Sequence, residues 1–202
     1  MPRRILVAAI AWMTVGLMAC GESASTTSYE QQVMQDRVQR DMQMRETNSP
    51  VAPSRRDAFQ GLNYYPVDRS HRYVVPLHRY AAPDTVQVAE STGTIAEQVV
   101  VGTVAVPFPP DTSQLVVFKV KTGPERGQLW IPFADSTNGP TTYTAGRYVD
   151  VEAAPADSVV VDFNRAYNPT CAYDPGFACP LPPPENRLAF GVPAGEKKPS
   201  FR

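Results

Sequence analysis

Proline recurs from residue 50 to the C-terminus, and this restricts the fold more than any other feature of the sequence. The chain has 21 prolines among 202 residues. A proline inside a helix removes a backbone hydrogen bond and clashes with the preceding turn, so long helices are disfavoured. Only Tyr29–Glu46 places apolar residues at helical spacing, and Asn48-Ser49-Pro50 marks its end. We therefore expect one N-terminal helix followed by short extended segments.

Apolar and polar residues alternate along several of these segments. Val116, Phe118 and Val120 share one predicted strand face, with Lys119 and Lys121 on the other. The predicted strands are Arg72–His78, Thr85–Ala89, Ile95–Val106, Gln114–Lys121, Gln128–Phe133, Tyr143–Val151, Ser158–Phe163 and Arg187–Val192. About eight short strands separated by turn residues indicate an all-β domain, either an antiparallel sandwich or a small barrel. Helices do not alternate with the strands, which argues against a parallel sheet.

The first nineteen residues have the composition of an export signal. Arg3 and Arg4 precede an uncharged, mostly apolar run over residues 5–19, which is shorter than the roughly 20 residues that span a bilayer as a helix. Leu17-Met18-Ala19-Cys20 then resembles the lipobox of bacterial lipoproteins. The resemblance implies cleavage before Cys20 and a lipid on its sulfur, which would anchor the chain to a membrane. The alternative is an ordinary cleaved signal followed by an unmodified cysteine.

These features divide the chain into four parts. We expect a signal peptide over residues 1–19, a flexible lipidated tether over 20–28, a helix and linker over 29–56, and one β domain over 57–198. The helix has a thin apolar stripe, which favours loose docking on the domain. The stripe consists of Val33, Met34, Val38 and Met42. Gly21 is not the acidic residue that retains enterobacterial lipoproteins in the inner membrane, so the expected location is the outer membrane, facing the periplasm.

Two further cysteines, Cys171 and Cys179, predict a disulfide. The turn-forming run Tyr173-Asp174-Pro175-Gly176 lies between them and allows them to meet, and an exported chain enters an oxidising compartment. A metal site is the alternative, but it needs further ligands. The two histidines of the chain, His71 and His78, do not have the spacing of a zinc site. We expect neither a metal nor a cofactor.

Polar motifs concentrate between Trp130 and Lys198. Asp162 and Asn164 are two residues apart on a predicted strand, so they face the same side, away from Phe163. Asp162 or Glu185 is the expected ion-pair partner of Arg147. The candidate ligand-binding residues are Tyr143, Arg147, Asp162, Asn164, Asn168, Glu185 and Asn186. Such a cluster would form the rim of a pocket for a small polar ligand, such as a sugar or a peptide fragment. The other interpretation is that these side chains satisfy backbone polar groups in irregular loops.

Several longer motifs in this region resemble a bacterial family known only as domain of unknown function 1684. The motifs run from Phe59-Gln60-Gly61-Leu62-Asn63-Tyr64 through Asp162-Phe163-Asn164-Arg165-Ala166-Tyr167-Asn168-Pro169 and Cys179-Pro180-Leu181-Pro182-Pro183-Pro184-Glu185-Asn186-Arg187-Leu188 to Ala194-Gly195-Glu196-Lys197. The resemblance covers about residues 57–198 and implies one domain. It implies no particular activity.

Two functions of different kinds remain open on these grounds. The first is a non-catalytic binding or interaction module in the cell envelope, with a small polar ligand or an envelope protein as partner. The second is an envelope hydrolase that acts on sugars or peptides through two carboxylates among Asp135, Asp162, Glu185 and Glu196. The binding module is favoured because the sequence has no Ser/His/Asp arrangement and no phosphate-binding loop. The formal net charge of −1 and the absence of a basic patch argue against a nucleic acid partner.

Overall fold

Helix α1 spans Tyr29–Gln43 in the computed structural model, which describes residues 27–202. Ser28 begins the helix with a capping box. Its side chain accepts a hydrogen bond from the Gln31 N–H at 3.3 Å, and the Gln31 side chain accepts one from the Ser28 N–H at 2.9 Å. These bonds satisfy two N–H groups that the first helical turn leaves unpaired. The predicted helix is therefore confirmed, although it ends at Gln43 rather than at Glu46.

The helix turns its apolar stripe mostly away from the domain. Val33 and Arg37 are buried, with 1% and 8% of their surface exposed. Met34, Val38 and Met42 are exposed by 51%, 57% and 63%. The four residues of the stripe therefore do not share one buried side. The helix nevertheless docks more closely than a thin stripe suggests, because charged side chains hold it to the barrel.

Six strands form a closed antiparallel barrel. They are β1 (Arg72–Ala89), β2 (Ile95–Phe108), β3 (Asp111–Lys119), β4 (Leu129–Phe133), β5 (Arg147–Ala154) and β6 (Ser158–Asp162). Each strand pairs with the next one along the chain, and β6 pairs with β1 to close the ring. The prediction of an all-β fold with a small antiparallel barrel is confirmed. Closure leaves the short barrel without an unpaired edge.

The number of strands is six rather than eight, partly because two predicted strands are one. Arg72–His78 and Thr85–Ala89 are the two ends of β1, which is irregular between Arg79 and Asp84. Gly102 of β2 lies opposite this irregularity. A Cβ atom at Gly102 would lie 2.2 Å from the His78 carbonyl oxygen, so the approach of β1 requires glycine there.

The last predicted strand, Arg187–Val192, is an irregular segment. It makes one isolated bridge, between Arg187 and Ala134. Its alternating residues Leu188 and Val192 are nonetheless buried in the barrel core. The alternation was therefore a correct sign of burial, but the segment covers the core instead of pairing in the sheet.

Side chains fill the inside of the barrel. Three phenylalanines lie at its centre, with the Phe163 ring 5.0 Å from Phe133 and 5.4 Å from Phe108. Aliphatic residues from all six strands surround them. A second apolar cluster, which includes Met44, Val51 and Tyr173, packs the segment after α1 against the loops that follow β6. Because the barrel interior is packed, a binding site has to lie on its outside.

Candidate functional site

Three of the seven predicted ligand-binding residues line one cleft, and the other four lie elsewhere. The cleft residues are Asp162, Asn164 and Asn168. The residues outside it are Tyr143, Arg147, Glu185 and Asn186. The predicted cluster is therefore divided, and only part of it belongs to the cleft.

Arg147 is completely buried and holds the C-terminal segment against the barrel. Its guanidinium donates to Asp135 Oδ2 at 2.7 Å, and neither side chain is exposed. The other acceptors are the backbone carbonyls of Val192, Ala194 and Glu196. The ion-pair partner is thus Asp135, and not Asp162 or Glu185 as expected. The reason is the pairing of Phe133 with Arg147, which brings the residues just after β4 next to the first residue of β5.

Asn186 is a structural link between two strands. Its side-chain amide donates to the carbonyls of Val116 and Pro132, at 3.0 and 2.8 Å, and its oxygen accepts from the Val116 N–H at 2.7 Å. These bonds connect β3 to β4 beyond the short stretch where the two strands pair. The neighbouring Glu185 is exposed. For Asn186, the interpretation that these side chains satisfy backbone polar groups therefore holds.

The cleft lies between α1 and the outer face of the barrel, and its volume is about 620 Å³. Outward-facing residues of β5, β6 and β1 form one wall, since they alternate with the buried residues of the core. This wall includes Asp150, Glu152, Asp162 and Arg72. Helix α1 forms the opposite wall with Tyr29, Gln32, Val33, Asp36, Arg37 and Arg40. The volume is in the range of small-molecule sites, about 300–1,000 Å³.

Asp162 is the centre of one side of the cleft. The Tyr29 hydroxyl lies 2.9 Å from both of its carboxylate oxygens, and the Arg165 guanidinium lies at 3.3 Å. The Asn164 amide also donates to Asp162, at 3.2 Å, and to the Tyr29 hydroxyl, at 2.9 Å. Burial and the bond to Asp162 raise the pKa of Tyr29 well above its usual value, so this phenol stays protonated. Asp162 therefore connects the start of α1 to the end of β6.

Glu196 is the centre of the other side and is fully buried. Arg40 of α1 donates to its Oε1 at 2.6 Å. The Tyr173 hydroxyl and the Asn168 N–H each donate to Oε2 at 2.8 Å. Arg40 also lies over the Tyr167 ring, 4.8 Å from its centre. The carboxylate thus has a complete set of donors, and it joins α1 to the C-terminal segment.

Two buried polar atoms in the walls of the cleft have no hydrogen-bond partner among residues 27–202. They are Arg37 Nε and Asn168 Oδ1. The rest of each side chain is held firmly, since Arg37 donates to the carbonyls of Tyr65 and Asn164 at 2.8 and 3.0 Å. Asn168 donates to the Lys197 carbonyl at 2.8 Å. A buried polar atom without a partner costs about 1–3 kcal/mol, so each atom is a candidate contact for a ligand.

Asp150 has an unusual position among the cleft carboxylates. It accepts a hydrogen bond from the Tyr167 hydroxyl at 2.9 Å. No arginine or lysine of the described chain forms an ion pair with it, and burial raises its pKa. The surroundings of this carboxylate therefore disfavour its charged form. Such a group is a mark of a functional site, although structural networks produce it as well.

We expect Asp150→Asn to stabilise the protein at neutral pH. Because the pKa of Asp150 is raised in the folded state, protonated Asp150 stabilises the folded protein at pH values below its unfolded-state pKa. This contribution is lost as the pH rises through the folded-state pKa. The asparagine removes the buried charge and can keep the bond to Tyr167. Tm should rise by roughly 2–4 °C at pH 7, the effect of about 1 kcal/mol in a chain of this size. At pH 3 the gain should disappear. A lower Tm at pH 7 would contradict the assignment of Asp150 as an uncompensated charge.

The sequence did not indicate the contribution of α1 to the cleft. Tyr29, Arg37 and Arg40 read as ordinary polar residues of a helix whose position could not be inferred. Asp150 could not be distinguished by sequence, because the strand Arg147–Ala154 also contains the charged residues Arg147 and Glu152. Glu196 was considered only as a possible acid or base. Its four actual partners come from three distant parts of the chain.

Cys171 and Cys179 are free thiols in the structure rather than the predicted disulfide. They are close together, as the intervening turn predicted, and the Cys171 N–H donates to Cys179 Sγ at 3.1 Å. Tyr143 lies beside them, and its hydroxyl donates to the Cys171 carbonyl at 3.3 Å. This position explains why Tyr143 does not belong to the cleft.

Some predictions concern residues outside the described range. The predicted signal peptide and the predicted lipid on Cys20 belong to residues before residue 27. Over residues 27–202, no helix has the length and apolar character needed to cross a membrane. In the same range, no group of three or more His, Cys, Asp or Glu side chains is arranged to hold a metal ion.

Comparisons with known proteins agree with the extent of the β domain. Residues 57–197 match the family described as "Protein of unknown function (DUF1684)". A solution NMR structure of an uncharacterized protein from Haloarcula marismortui is similar to the chain with 31% sequence identity and a TM-score of 0.64. The match covers 84% of this chain and 94% of that one. No curated protein matches. The chain therefore belongs to the DUF1684 family.

Proposed function

We propose that this protein is a non-catalytic binding module of the cell envelope, and that the cleft between α1 and the barrel is its binding site. The observation that carries the proposal is the pair of unpartnered buried atoms, Arg37 Nε and Asn168 Oδ1, in the walls of the same cleft. One is a hydrogen-bond donor and the other an acceptor. A small polar ligand that offers an acceptor to Arg37 Nε and a donor to Asn168 Oδ1 would match the two atoms.

The charges around the cleft favour a ligand with a positive group. The acidic residues that line it are Asp36, Glu125, Asp150, Glu152, Asp162 and Glu196, and the basic ones are Arg37, Arg40, Arg72 and Arg165. Asp36, Asp162 and Glu196 form ion pairs with these arginines. Asp150 and Glu152 form none within the described chain, which leaves negative charge at their end of the cleft. An amino sugar or a peptide fragment has the required amine together with several hydrogen-bond acceptors.

Native mass spectrometry of the protein purified from its own cells tests this proposal. The expected result is an additional mass on the wild-type chain, and binding of glucosamine or of the dipeptide Ala-Ala in titration calorimetry. Asp150→Asn should weaken that binding at least tenfold, which corresponds to about 1.4 kcal/mol. Because the same variant is expected to be more stable, weaker binding would not result from unfolding.

Glu185→Gln is the matched control, because Glu185 is an exposed carboxylate outside the cleft. It should bind the ligand as the wild type does. An additional mass that persists in both Asp150→Asn and Asn168→Ala would place the ligand elsewhere. A bare polypeptide mass, together with no heat of binding for either probe, would contradict the proposed site.

The hydrolase hypothesis receives less support. Glu185 lies outside the cleft that contains Asp162, so these two carboxylates do not form an acid/base pair. Asp162 and Glu196 do line the cleft together, but each is already held by an arginine and by a tyrosine hydroxyl. A catalytic carboxylate needs an oxygen available to substrate or water.

The envelope location belongs to the same proposal and depends on Cys20. A lipid on Cys20 would hold the chain at a membrane, with residues 21–28 as a tether to α1. The outer membrane, facing the periplasm, is the proposed location because Gly21 follows the cysteine. Labelled palmitate should enter the wild-type chain and not the Cys20→Ser variant. Equal labelling of both chains, or of neither, would remove the anchor without affecting the binding site.

A further inference from the structure

Three large apolar side chains stand in a row on α1, on the side of the helix away from the cleft. We call Met34, Val38 and Met42 the outer ridge; each is more than half exposed, and none lines the cleft. Single exposed apolar residues are ordinary on a protein surface. Three that are spaced by four residues form one continuous ridge along a helix, and a continuous apolar patch marks an interaction surface.

The charged side chains of α1 do not surround the outer ridge, because they bond to the barrel domain. These residues are Glu30, Asp36, Arg37, Arg40 and Asp41. The residues beside the ridge are the exposed glutamines Gln35 and Gln39. A surface helix usually turns charged residues toward the solvent. The outward side of α1 is uncharged and contains two methionines, and the centres of protein interfaces are likewise poor in charge and rich in methionine.

A lipid surface does not match this side of the helix. Helices that lie on membranes have lysine or arginine on their polar face and insert large residues such as Trp, Phe and Leu. The two arginines of α1, Arg37 and Arg40, donate to the Tyr65 carbonyl and to Glu196 at 2.8 and 2.6 Å, on the side of the barrel. The outer ridge is flanked by neutral amides instead. Its partner is therefore expected to be a protein surface that is itself apolar and uncharged.

The order of residues in the outer ridge fits a second copy of the same helix. Met34 is four residues before Val38, and Met42 is four residues after it. In a two-fold contact both copies use the same patch, so a patch that is symmetric about its centre can face itself. Ridges of residues spaced by four interdigitate in the commonest packing of two helices. Two uncharged faces meet without repulsion, and glutamine amides both donate and accept hydrogen bonds.

We propose that two copies of this chain associate through the outer ridges of their α1 helices, with Val38 facing Val38 across the two-fold axis. The cleft stays open in this dimer, because the ridge lies on the other side of the helix. The proposal is therefore independent of the ligand of the cleft. A contact made by one helix is smaller than the roughly 800 Å² per partner of a standard interface. The dimer is accordingly expected to dissociate and re-form.

Oxidative cross-linking of the full chain in its own envelope fraction tests the contact. Val38→Cys should form a disulfide-linked dimer at least tenfold more than the wild type, whose three native cysteines set the background. Peptide mass spectrometry should locate the bond between the two Val38→Cys sites. Ile95→Cys is the matched control, because Ile95 is even more exposed and lies at the start of β2 instead of on α1. No more dimer than in these two controls, or a cross-link from Val38→Cys to a different protein, overturns the proposal.

Sedimentation of the purified full chain, measured over a range of protein concentrations, is the second test. The wild type should show a reversible monomer–dimer equilibrium, and Val38→Lys should raise its dissociation constant at least tenfold by placing two like charges across the axis. Its Tm should stay near that of the wild type, because Val38 is exposed and lysine favours a helix more than valine does. Ile95→Lys should leave the dissociation constant unchanged. Equal weakening by both variants would mean general apolar association, and a wild type that is monomeric at every concentration would have no such contact; either result overturns the proposal.

Discussion

Replacing Arg147 with methionine is expected to lower the free energy of unfolding by about 3–5 kcal/mol, the cost of breaking a buried ion pair by removing one partner. Asp135 would be left charged and fully buried, with no cation beside it. The carbonyls of Val192 and Glu196 would each lose one donor, now at 2.9 and 3.2 Å, and Val192 would keep only the Ala194 N–H. Methionine is chosen because it fills much of the same space without a cavity. Urea unfolding, followed by fluorescence, measures the loss.

A double variant separates the charge from the shape. Asp135→Asn together with Arg147→Met removes both charges and keeps a side-chain oxygen for the Thr137 N–H, which now donates to Asp135 at 2.7 Å. We expect the double variant to be more stable than Arg147→Met alone, because no isolated buried charge remains. If Arg147→Met unfolds within 1 kcal/mol of the wild type, the side chain cannot be the link that joins the C-terminal segment to β5.

The barrel was predictable from the sequence because alternation has a direct physical cause. Successive side chains of a strand point to opposite faces, so a strand packed on one side has to alternate. Val159 and Val161 of β6 are buried, and Val160 between them is partly exposed, as the alternation predicted. The same rule cannot distinguish a strand from any other extended segment with one buried side. Arg187–Val192 shows this limit, since it alternates but pairs at one residue only.

The cleft was less predictable because its parts come from distant positions. Asp162 and Asn164 were predicted to share a face of one strand, but β6 ends at Asp162 and Asn164 lies in the short 3-10 helix Phe163–Arg165. They are close because the Asp162 side chain caps this helix and accepts a hydrogen bond from the Asn164 N–H. Their partner Tyr29 is 133 residues away from Asp162 in sequence, and nothing local indicates this contact. Arg147 shows the reverse case. Its type suggested an ion pair, but the identity of the partner depended on how β4 and β5 pair. Residue types thus predict that charges are paired, whereas the topology decides which ones.

Glu196→Gln is expected to lower the free energy of unfolding by about 2–4 kcal/mol. The loss is smaller than for breaking a fully buried ion pair, because Arg40 can recover contact with water. Four donors surround the carboxylate, from Arg40, Tyr64, Asn168 and Tyr173. A glutamine has an NH₂ group in place of one oxygen, and that group would face donors instead of acceptors. The variant should also loosen α1, because Arg40 is a main link between the helix and the C-terminal segment. Hydrogen exchange of the α1 amides, measured by mass spectrometry, should therefore become faster.

Glu30→Gln is the control for this variant. It makes the same substitution on α1, but in the exposed ion pair between Glu30 and Arg69. Exposed pairs contribute little to stability, so the unfolding curve and the exchange of α1 should stay close to those of the wild type. Equal effects of the two variants would mean that any lost charge loosens the helix. A large effect of Glu196→Gln alone would mean that the buried carboxylate is a main anchor of α1 over the barrel, beside the contact of Tyr29 with Asp162 at the start of the helix.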